Sequence, residues 1–409
     1  MTTSPLARAL VDLYARIPLG MRLGLEPMRV ACDAFGHPER AFAAVHVAGT
    51  NGKGSVCAMV ERIAREAGMR TGLYTSPHLC RLAERIRIDG APLDDGALAP
   101  LLRRVLDDAP DLSFFETLTL AAFVAFRDAK VDVAILEVGL GGRLDATNVI
   151  PAPRAAAITR IALDHTDRLG ATLVAIAREK AGIAKPGMDI VLGPMQPDVR
   201  AAIDEVAHAA GATTRLASDD AEAARFAADA AIGLPGEHQR DNAAVAWALG
   251  KAIGASESAR RDGIARAEWP GRLERVDATD GAVLLDAAHN PDGAAALARH
   301  LRALALPADG VALVFGTLAD KAWEPMIDDL APLAARRFYV APGGRTPTDP
   351  ATIARRHEGE IAASFAEAYR RARAASGKNG LVVIAGSISL VGEARAHLLG
   401  LARDPAVAL

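Results

Sequence analysis

Ala48-Gly49-Thr50-Asn51-Gly52-Lys53-Gly54-Ser55 follows the apolar run Phe42–Val47 and precedes a helical pattern, Val56–Ala67. A strand that enters a glycine-rich turn and leaves it as a helix makes a phosphate cradle. Backbone N–H groups and the positive end of the helix face the phosphate oxygens, a lysine adds a point charge, and a hydroxyl can reach a magnesium ion. The commoner form of this loop reads G-x-x-x-x-G-K-[ST]. Here Val47 stands where its first glycine would be, and Gly54 separates Lys53 from Ser55. The variant narrows the field more than a generic match would.

Outward from this loop, β-branched apolar runs alternate with helical patterns, which predicts an α/β fold with mainly parallel sheets. Strands are expected at Phe42–Val47, Thr71–Tyr74, Val131–Val138, Ala155–Ile161 and Ile190–Leu192. A second series is expected at Ala282–Asp286, Val311–Phe315, Arg337–Val340 and Leu381–Ala385. The alanine-rich stretch Ala217–Ile232 is weakly patterned and reads as small strands or an elaborated surface. Pro270-Gly271 is a turn signal between the two series. The expected division is 1–268, a linker 269–274, and 275–409.

The 409-residue chain, 51% hydrophobic, is long enough for two domains with cores of their own. A net charge of −3 with scattered Lys and Arg gives no nucleic-acid footprint. No apolar run reaches membrane-spanning length. Cys32, Cys57 and Cys80 lack metal-ligand spacing and cannot all pair, so they read as reduced thiols of a cytoplasmic protein. Met1–Arg16 carries Arg8, Asp12 and Arg16 among its apolar residues, unlike a secretory signal.

Further polar segments fall just past expected strand ends, where open α/β sheets hold ligands. Thr75-Ser76-Pro77-His78 offers a hydroxyl pair before a proline turn, a pattern shared with ordinary turns. Glu137 ends a buried apolar strand, where a carboxylate is costly unless a cation meets it; a magnesium ion or an internal arginine would serve. The Gly-rich turn Gly139–Asn148 follows it. His165 lies after the strand Ala155–Ile161, taken as adjacent to that of Glu137, which favours a ligand role over a plain polar loop. Lys180, on a helix end, reads by spacing as a solvated lysine. Asp286 ends a strand of the second series and could hold a ribose or order the next helix N-terminus. The strand ends at Thr317–Lys321 and Gly386–Ser389 read equally as pocket lining or capping.

Taken in order, these segments resemble the folylpolyglutamate synthase/dihydrofolate synthase branch of the Mur ligase family. The resemblance runs through Leu23–Glu26, Gly49–Ser55, Thr75–Leu79, Glu137–Asn148, Leu163–Gly170 and Arg178–Ile183. It continues through Gly236–Asn242, Trp269–Glu274, Asp286–Pro291 and Gly386–Arg395. It implies a two-domain Mur-ligase-like architecture: a P-loop NTPase-like N-terminal domain and a smaller Rossmann-like C-terminal domain. It implies an ATP-dependent amide ligase that activates a pterin-bearing carboxylate as an acyl phosphate and joins it to L-glutamate.

By the same resemblance Gly49, Thr50, Asn51, Gly52, Lys53, Gly54 and Ser55 hold the phosphates. Ser76 and Glu137 hold a first Mg2+, and His165 and a carbamylated Lys180 a second, with K+ or another monovalent cation as a further ligand. Asn242, Arg272, Asp286 and His289 hold the nucleotide. Arg143, Ala146 and Thr147 face a substrate, and Lys321 and Ser387 the incoming amino acid. The expected partners are the pteroate or folate, glutamate and ATP, with no nucleic acid and no membrane, and a monomer.

Two positions depart from the family pattern. An aromatic residue is usual where this chain has Leu82-Ala83, in a loop that covers the pterin in relatives, and an aspartate is usual after Lys321. Both leave the acceptor open between dihydropteroate and reduced folates. Rival readings are a ligase glutamylating a non-folate acceptor, a cell-wall Mur ligase, and a nucleotide-binding module without ligase activity. The cell-wall reading expects a precursor-binding domain ahead of Gly49, where 48 residues are too few.

Overall fold

The computed structural model describes residues 4–17 and 24–404; Met1–Thr3 and Leu23, part of stretches read above, lie outside the described residues. The chain divides into two compact units. The first comprises Met1–Pro77, Ala83–Gly233 and Gln239–Glu268, and the second His78–Leu82, Leu234–His238 and Trp269–Leu409.

The first unit carries eight strands: β1 (Ala43–Ala48), β2 (Thr71–Tyr74), β3 (Ile86–Ile88), β4 (Ala91–Pro92), β5 (Val133–Glu137), β6 (Ala155–Ile158), β7 (Asp189–Leu192) and β8 (Thr213–Leu216). Their order is β4-β3-β2-β5-β1-β6-β7-β8. All neighbours pair parallel except β3 with β2 and β4, which form an antiparallel edge. The central strands are near-continuous apolar runs, interrupted in β1 by the buried His46, as expected where helices cover both faces. On one face Ile176 and Ala177 of helix Leu173–Ala181 and Val199 and Ile203 of helix Pro197–Ala209 pack on Ala156, Ile158 and Ile190. Register sets β1 beside β5, with Val47 opposite Glu137, so the phosphate-loop strand and the acidic strand end at the same level.

The second unit carries β9 (Glu274–Ala278), β10 (Gly281–Asp286), β11 (Val311–Phe315), β12 (Arg336–Tyr339), β13 (Glu360–Ile361) and β14 (Leu381–Ala385). They form the order β13-β12-β11-β14-β10-β9, parallel apart from β9. Helices Pro291–Ala303 and Trp323–Leu330 cover one face through Leu297, Met326 and Ile327. Helices Phe365–Ser376 and Ile388–Leu399 cover the other through Phe365, Ala368 and Leu390.

Three expectations change. Ala217–Ile232 holds a helix, Ala221–Asp229, capped by Asp220 rather than small strands. Its buried Ala223, Phe226 and Ala227 have helical spacing, but alanine on the other positions gives little polarity contrast. Glu274, read as the last linker residue, already opens β9. Finally, β6 pairs with β1 and β7, not β5, so the loop bearing His165 follows a strand one removed from that of Glu137.

Candidate functional site

β1 delivers the chain to Gly49, whose φ of +141° suits only glycine; an added Cβ would collide with the Thr159 hydroxyl. The Thr159 hydroxyl donates to the Asn51 carbonyl at 2.8 Å, and that of Thr50 to the Ala162 carbonyl at 3.1 Å. These two bonds pin the turn to the segment after β6. The N–H groups of Thr50 and Asn51 both point at the Arg160 carbonyl (2.9 and 3.2 Å), so they are not aimed at a ligand. Helix Lys53–Glu66 opens behind Gly52 with no side-chain cap and no acidic residue in its first turn. Its leading N–H groups have no intrahelical partners, and they favour an anion.

Lys53 Nζ donates to the Thr50 carbonyl at 3.0 Å and lies 4.0 Å from Glu137 Oε1. Glu137 is 5% exposed, and its Oε2 accepts from the Ser76 N–H at 3.1 Å. Lys180, far from solvated, is 4% exposed and donates to the Gly49 carbonyl at 2.8 Å. Burial, with repulsion from Lys53, pushes its pKa down to about 7 against the pull of Asp164 and Asp145. The fold thus sets both lysines on carbonyls of the same turn, with Glu137 beside Lys53, at a desolvation cost. Among the described residues, no three His, Cys, Asp or Glu side chains gather as a metal site. A magnesium ion suits such a place only with phosphates and water completing its shell.

The turn Gly139–Asn148 is organised by Asp145. Its Oδ2 accepts from Gly139 and Leu140 N–H (3.0 and 2.9 Å), and its Oδ1 accepts from the Thr147 hydroxyl at 2.5 Å. The fully buried Thr147 hydroxyl also meets His46 Nε2 at 2.8 Å, so it is committed within the fold. Ala146 is buried beside it, while Arg143 is exposed and pairs with Glu179 at 2.9 Å. His165 opens the short helix Thr166–Leu169 in a left-handed conformation, its N–H donating to Asp164 Oδ1 at 2.9 Å.

Two residues of this unit carry no signal in isolation. Gln239, fully buried, donates to Ser55 Oγ at 3.2 Å and accepts from Asn242 at 2.9 Å. Asn242 thereby sits against Gly52, and a Cβ at Gly52 would meet its Oδ1. Gly52 has φ +92°, so Gly52→Ala adds left-handed strain of about 1–2 kcal/mol and pushes Asn242 away. The expected result is roughly tenfold weaker nucleotide binding in titration calorimetry with the melting transition kept. Wild-type affinity would detach Gly52 from the phosphate cradle.

In the second unit Asp286 ends β10, its Oδ2 accepting from Leu273 N–H at 2.8 Å and its Oδ1 from Ala288 N–H at 2.9 Å. Burial raises its pKa while Arg272 and His289 lower it. His289 Nδ1 lies 2.9 Å from the Ala287 carbonyl and carries the proton that it donates there. His238 is pushed down to about 4 by burial and by Arg272 and Arg299. Ser387 is 2% exposed and caps its helix by accepting from Leu390 N–H at 3.1 Å. Lys321 is partly buried after β11.

Residues 47–250 match the Mur ligase middle domain, and residues 271–388 the Mur ligase glutamate ligase domain. A dihydrofolate synthase/folylpolyglutamate synthase of Escherichia coli is 37% identical, over 95% of this chain and 94% of its own length. The chain belongs to the Mur ligase family, in its folylpolyglutamate synthase/dihydrofolate synthase branch. This synthase branch comprises ATP-dependent, amide-forming ligases. The Escherichia coli enzyme in complex with DHPP and ADP superposes with a TM-score of 0.84 at 32% identity, covering 97% of this chain and 98% of that one. A bifunctional folylpolyglutamate synthase/dihydrofolate synthase with Mn, AMPPNP and L-glutamate bound gives 0.84 at 33% identity, covering 98% and 99%. The chain spans 48% of a longer Haloferax volcanii protein described as a probable bifunctional folylpolyglutamate synthase/dihydropteroate synthase, to which it is 35% identical over 91% of its own length. Among the described residues no helix is long and apolar enough to cross a membrane.

Proposed function

We propose that this synthase activates a pterin-bearing carboxylate with ATP and joins it to L-glutamate in the cytoplasm, as a monomer. The observation that carries the reading is the pair of lysines on one turn. Lys53 lies 4.0 Å from Glu137 Oε1, and a buried Lys180 donates to the Gly49 carbonyl of the same turn at 2.8 Å. Such a cluster is costly by itself and is explained by a phosphate chain with its metals.

In the first step a carboxylate oxygen of the acceptor attacks the γ-phosphorus, the bond to the bridging oxygen breaks, and ADP leaves. Lys53 and the amides of Gly52, Gly54 and Ser55 hold the phosphoryl oxygens as charge spreads over them. In the second, the glutamate amine attacks the acyl carbon, the C–O bond to phosphate breaks, and the amine loses a proton. Ser76 and Glu137 would hold one Mg2+, and His165 with a carbamylated Lys180 a second. Bound there, these ions would supply neutralising charge. A potassium or other monovalent cation completes the proposed set.

Asn242, Arg272, Asp286 and His289 hold the nucleotide in this reading, and Trp269–Glu274 is the linker. The acceptor is read by Arg143 and Ala146, while Thr147 supports Asp145 from behind. Lys321 faces the incoming glutamate, and Ser387 shapes that rim as a helix cap.

The test is ADP release with magnesium-ATP and L-glutamate, offering dihydropteroate and tetrahydrofolate separately. The reading expects release that requires glutamate and at least one of the two acceptors. Intact ATP binding with no turnover on either would move the reading to a non-folate acceptor. Hydrolysis indifferent to glutamate would leave only a nucleotide-binding module.

A further inference from the structure

His46 stands within β1, three residues before Gly49, with Leu136 of β5 and Ala156 of β6 as its register neighbours. Its ring is fully buried. Burial, with repulsion from Lys185, pushes its pKa down to about 3, so the ring is neutral. Its Nε2 lies 2.8 Å from Thr147 Oγ1, and its Nδ1 has no hydrogen-bond partner among the described residues. A hydroxyl has one proton to give. Thr147 gives its own to Asp145 Oδ1 at 2.5 Å, so its oxygen accepts from His46 and the imidazole proton is on Nε2. Nδ1 is then a bare lone pair, in keeping with its lack of a partner. Asp145 Oδ1 also accepts from Thr147 N–H at 3.0 Å, while its Oδ2 takes the N–H groups of Gly139 and Leu140, just after Glu137. At the far end of the turn Lys185 donates to the Asn148 carbonyl and Oδ1 (3.1 and 2.6 Å). Asn148 Nδ2 in turn donates to the Arg143 and Gly182 carbonyls (3.2 and 3.0 Å). Between these anchors the turn lies on the helix end that bears Lys180. Arg143 N–H donates to the Glu179 carbonyl at 3.0 Å, and a Cβ at Gly142 would collide with the Lys180 carbonyl.

We propose that His46 is a positioning residue for the acceptor, fixing the turn Gly139–Asn148 through the chain His46–Thr147–Asp145. The inference rests on the reading of Arg143 and Ala146 as acceptor-facing. Being fully buried, His46 acts on the acceptor only through the turn. Without the Nε2–H, the Thr147 oxygen loses a buried donor and its hydroxyl is free to rotate away from Asp145, which loosens the hold on the Gly139 and Leu140 amides. The bonds from Lys185 to Asn148 still fix the other end, so the turn shifts rather than melts. The position of His46 also separates two kinds of damage. β1 leads directly into the phosphate turn, so a general disturbance of the strand falls on ATP binding, whereas one carried by the chain falls on the acceptor.

The test compares His46→Leu, His46→Gln and Thr147→Val in the full chain. Its readouts are KM for the acceptor that wild type uses (dihydropteroate or tetrahydrofolate), KM for ATP, the melting temperature, and nitrogen-15 NMR of histidine-labelled protein. Wild type shows His46 protonated at Nε2 alone. His46→Leu and Thr147→Val each raise the acceptor KM about tenfold and leave that for ATP unchanged. The double variant is no worse than either single one, because both break the same chain. His46→Gln, whose amide nitrogen takes the place of Nε2 and donates to Thr147, restores the acceptor KM. Should His46→Leu fail to fold, Thr147→Val, which keeps the side chain's shape, and His46→Gln still decide the matter. A proton on Nδ1 would overturn the chain. A lower melting temperature with both KM values unchanged, or with both rising together, would reduce His46 to a core histidine and overturn the proposal. A wild-type chain without glutamate-dependent turnover would instead sink the functional reading, a result distinct from active wild type with indifferent variants.

Discussion

Lys53→Ala abolishes glutamate-dependent ADP release, with a loss of at least about a thousandfold in kcat, while the chain stays folded. Lys53 lies at the start of its helix with its ammonium bonded to the Thr50 carbonyl and 4.0 Å from Glu137. That placement suits a charge that follows the phosphoryl group through transfer, when negative charge spreads over its oxygens. A preformed ammonium there needs no reorganisation at the moment of reaction, which is why its removal falls on kcat more than on KM. The side chain is partly buried and satisfies no core contact, so the melting temperature moves little. Glu137→Ala is expected to fail in a different way, with a raised Mg2+ requirement. Steady-state kinetics against ATP and Mg2+ separate the two. A Lys53→Ala enzyme within tenfold of wild type would remove the phosphate loop from the chemistry.

On the proposed reading of Lys180 as a carbamylated residue, turnover is expected to rise with pH through about 7 and to respond to bicarbonate, because carbamate formation needs its neutral amine. A carbamate forms only when an unprotonated amine attacks carbon dioxide and releases a proton. Burial moves that amine's pKa from the ordinary lysine range down to about 7, so an appreciable fraction is neutral where a solvated lysine would be almost wholly charged. The sign for stability follows from the same shift. Between about pH 7 and the unfolded value the unfolded chain binds more protons, so stability increases with pH across that window. Below about 7 both states are protonated, and the fold carries the full cost of a buried charge.

Lys180→Ala is expected to lose about a hundredfold or more in kcat, because the proposed second Mg2+ would lose its carbamate and with it charge stabilisation at the transferring phosphoryl group. Lys180→Arg keeps a charge but cannot carbamylate, and it should be no better. Carbon-13 bicarbonate gives a direct reading through a carbamate resonance present in wild type and missing in Lys180→Ala. Rates in carbon-dioxide-free buffer that match those in bicarbonate would exclude the modification.

Much of the fold was legible along the chain. β2, β11 and β14 fall at the bounds their apolar runs predict, and β1, β5 and β10 within two residues of them. Edge strands such as β9, Glu-Arg-Val-Asp-Ala, were not legible, because one exposed face and charged residues break the apolar run. The phosphate turn could be read because its demand is local: a glycine at φ +141° and another at +92° must appear as glycines in sequence. Thr147 and Ser387 show the reverse. Thr147 is expected to face a substrate, yet its hydroxyl is committed to Asp145 and to His46, which only packing brings near, while Ser387 takes the capping side of its two readings.

The sequence by itself determined the two-sheet α/β plan, the phosphate turn and the strand ends around it, since propensity, apolar period and glycine geometry act over a few neighbouring residues. Tertiary structure decided the rest. Lys180 reads as a solvated lysine in its own segment, and becomes an amine near neutrality because packing buries it beside Lys53, with Gly49, 131 residues away, as its acceptor. Gln239 meets Ser55 across 184 residues, and Asp404 meets Leu82 across 322. Desolvation and hydrogen bonding over such separations depend on which surfaces the sheets bring together, and no local pattern encodes that.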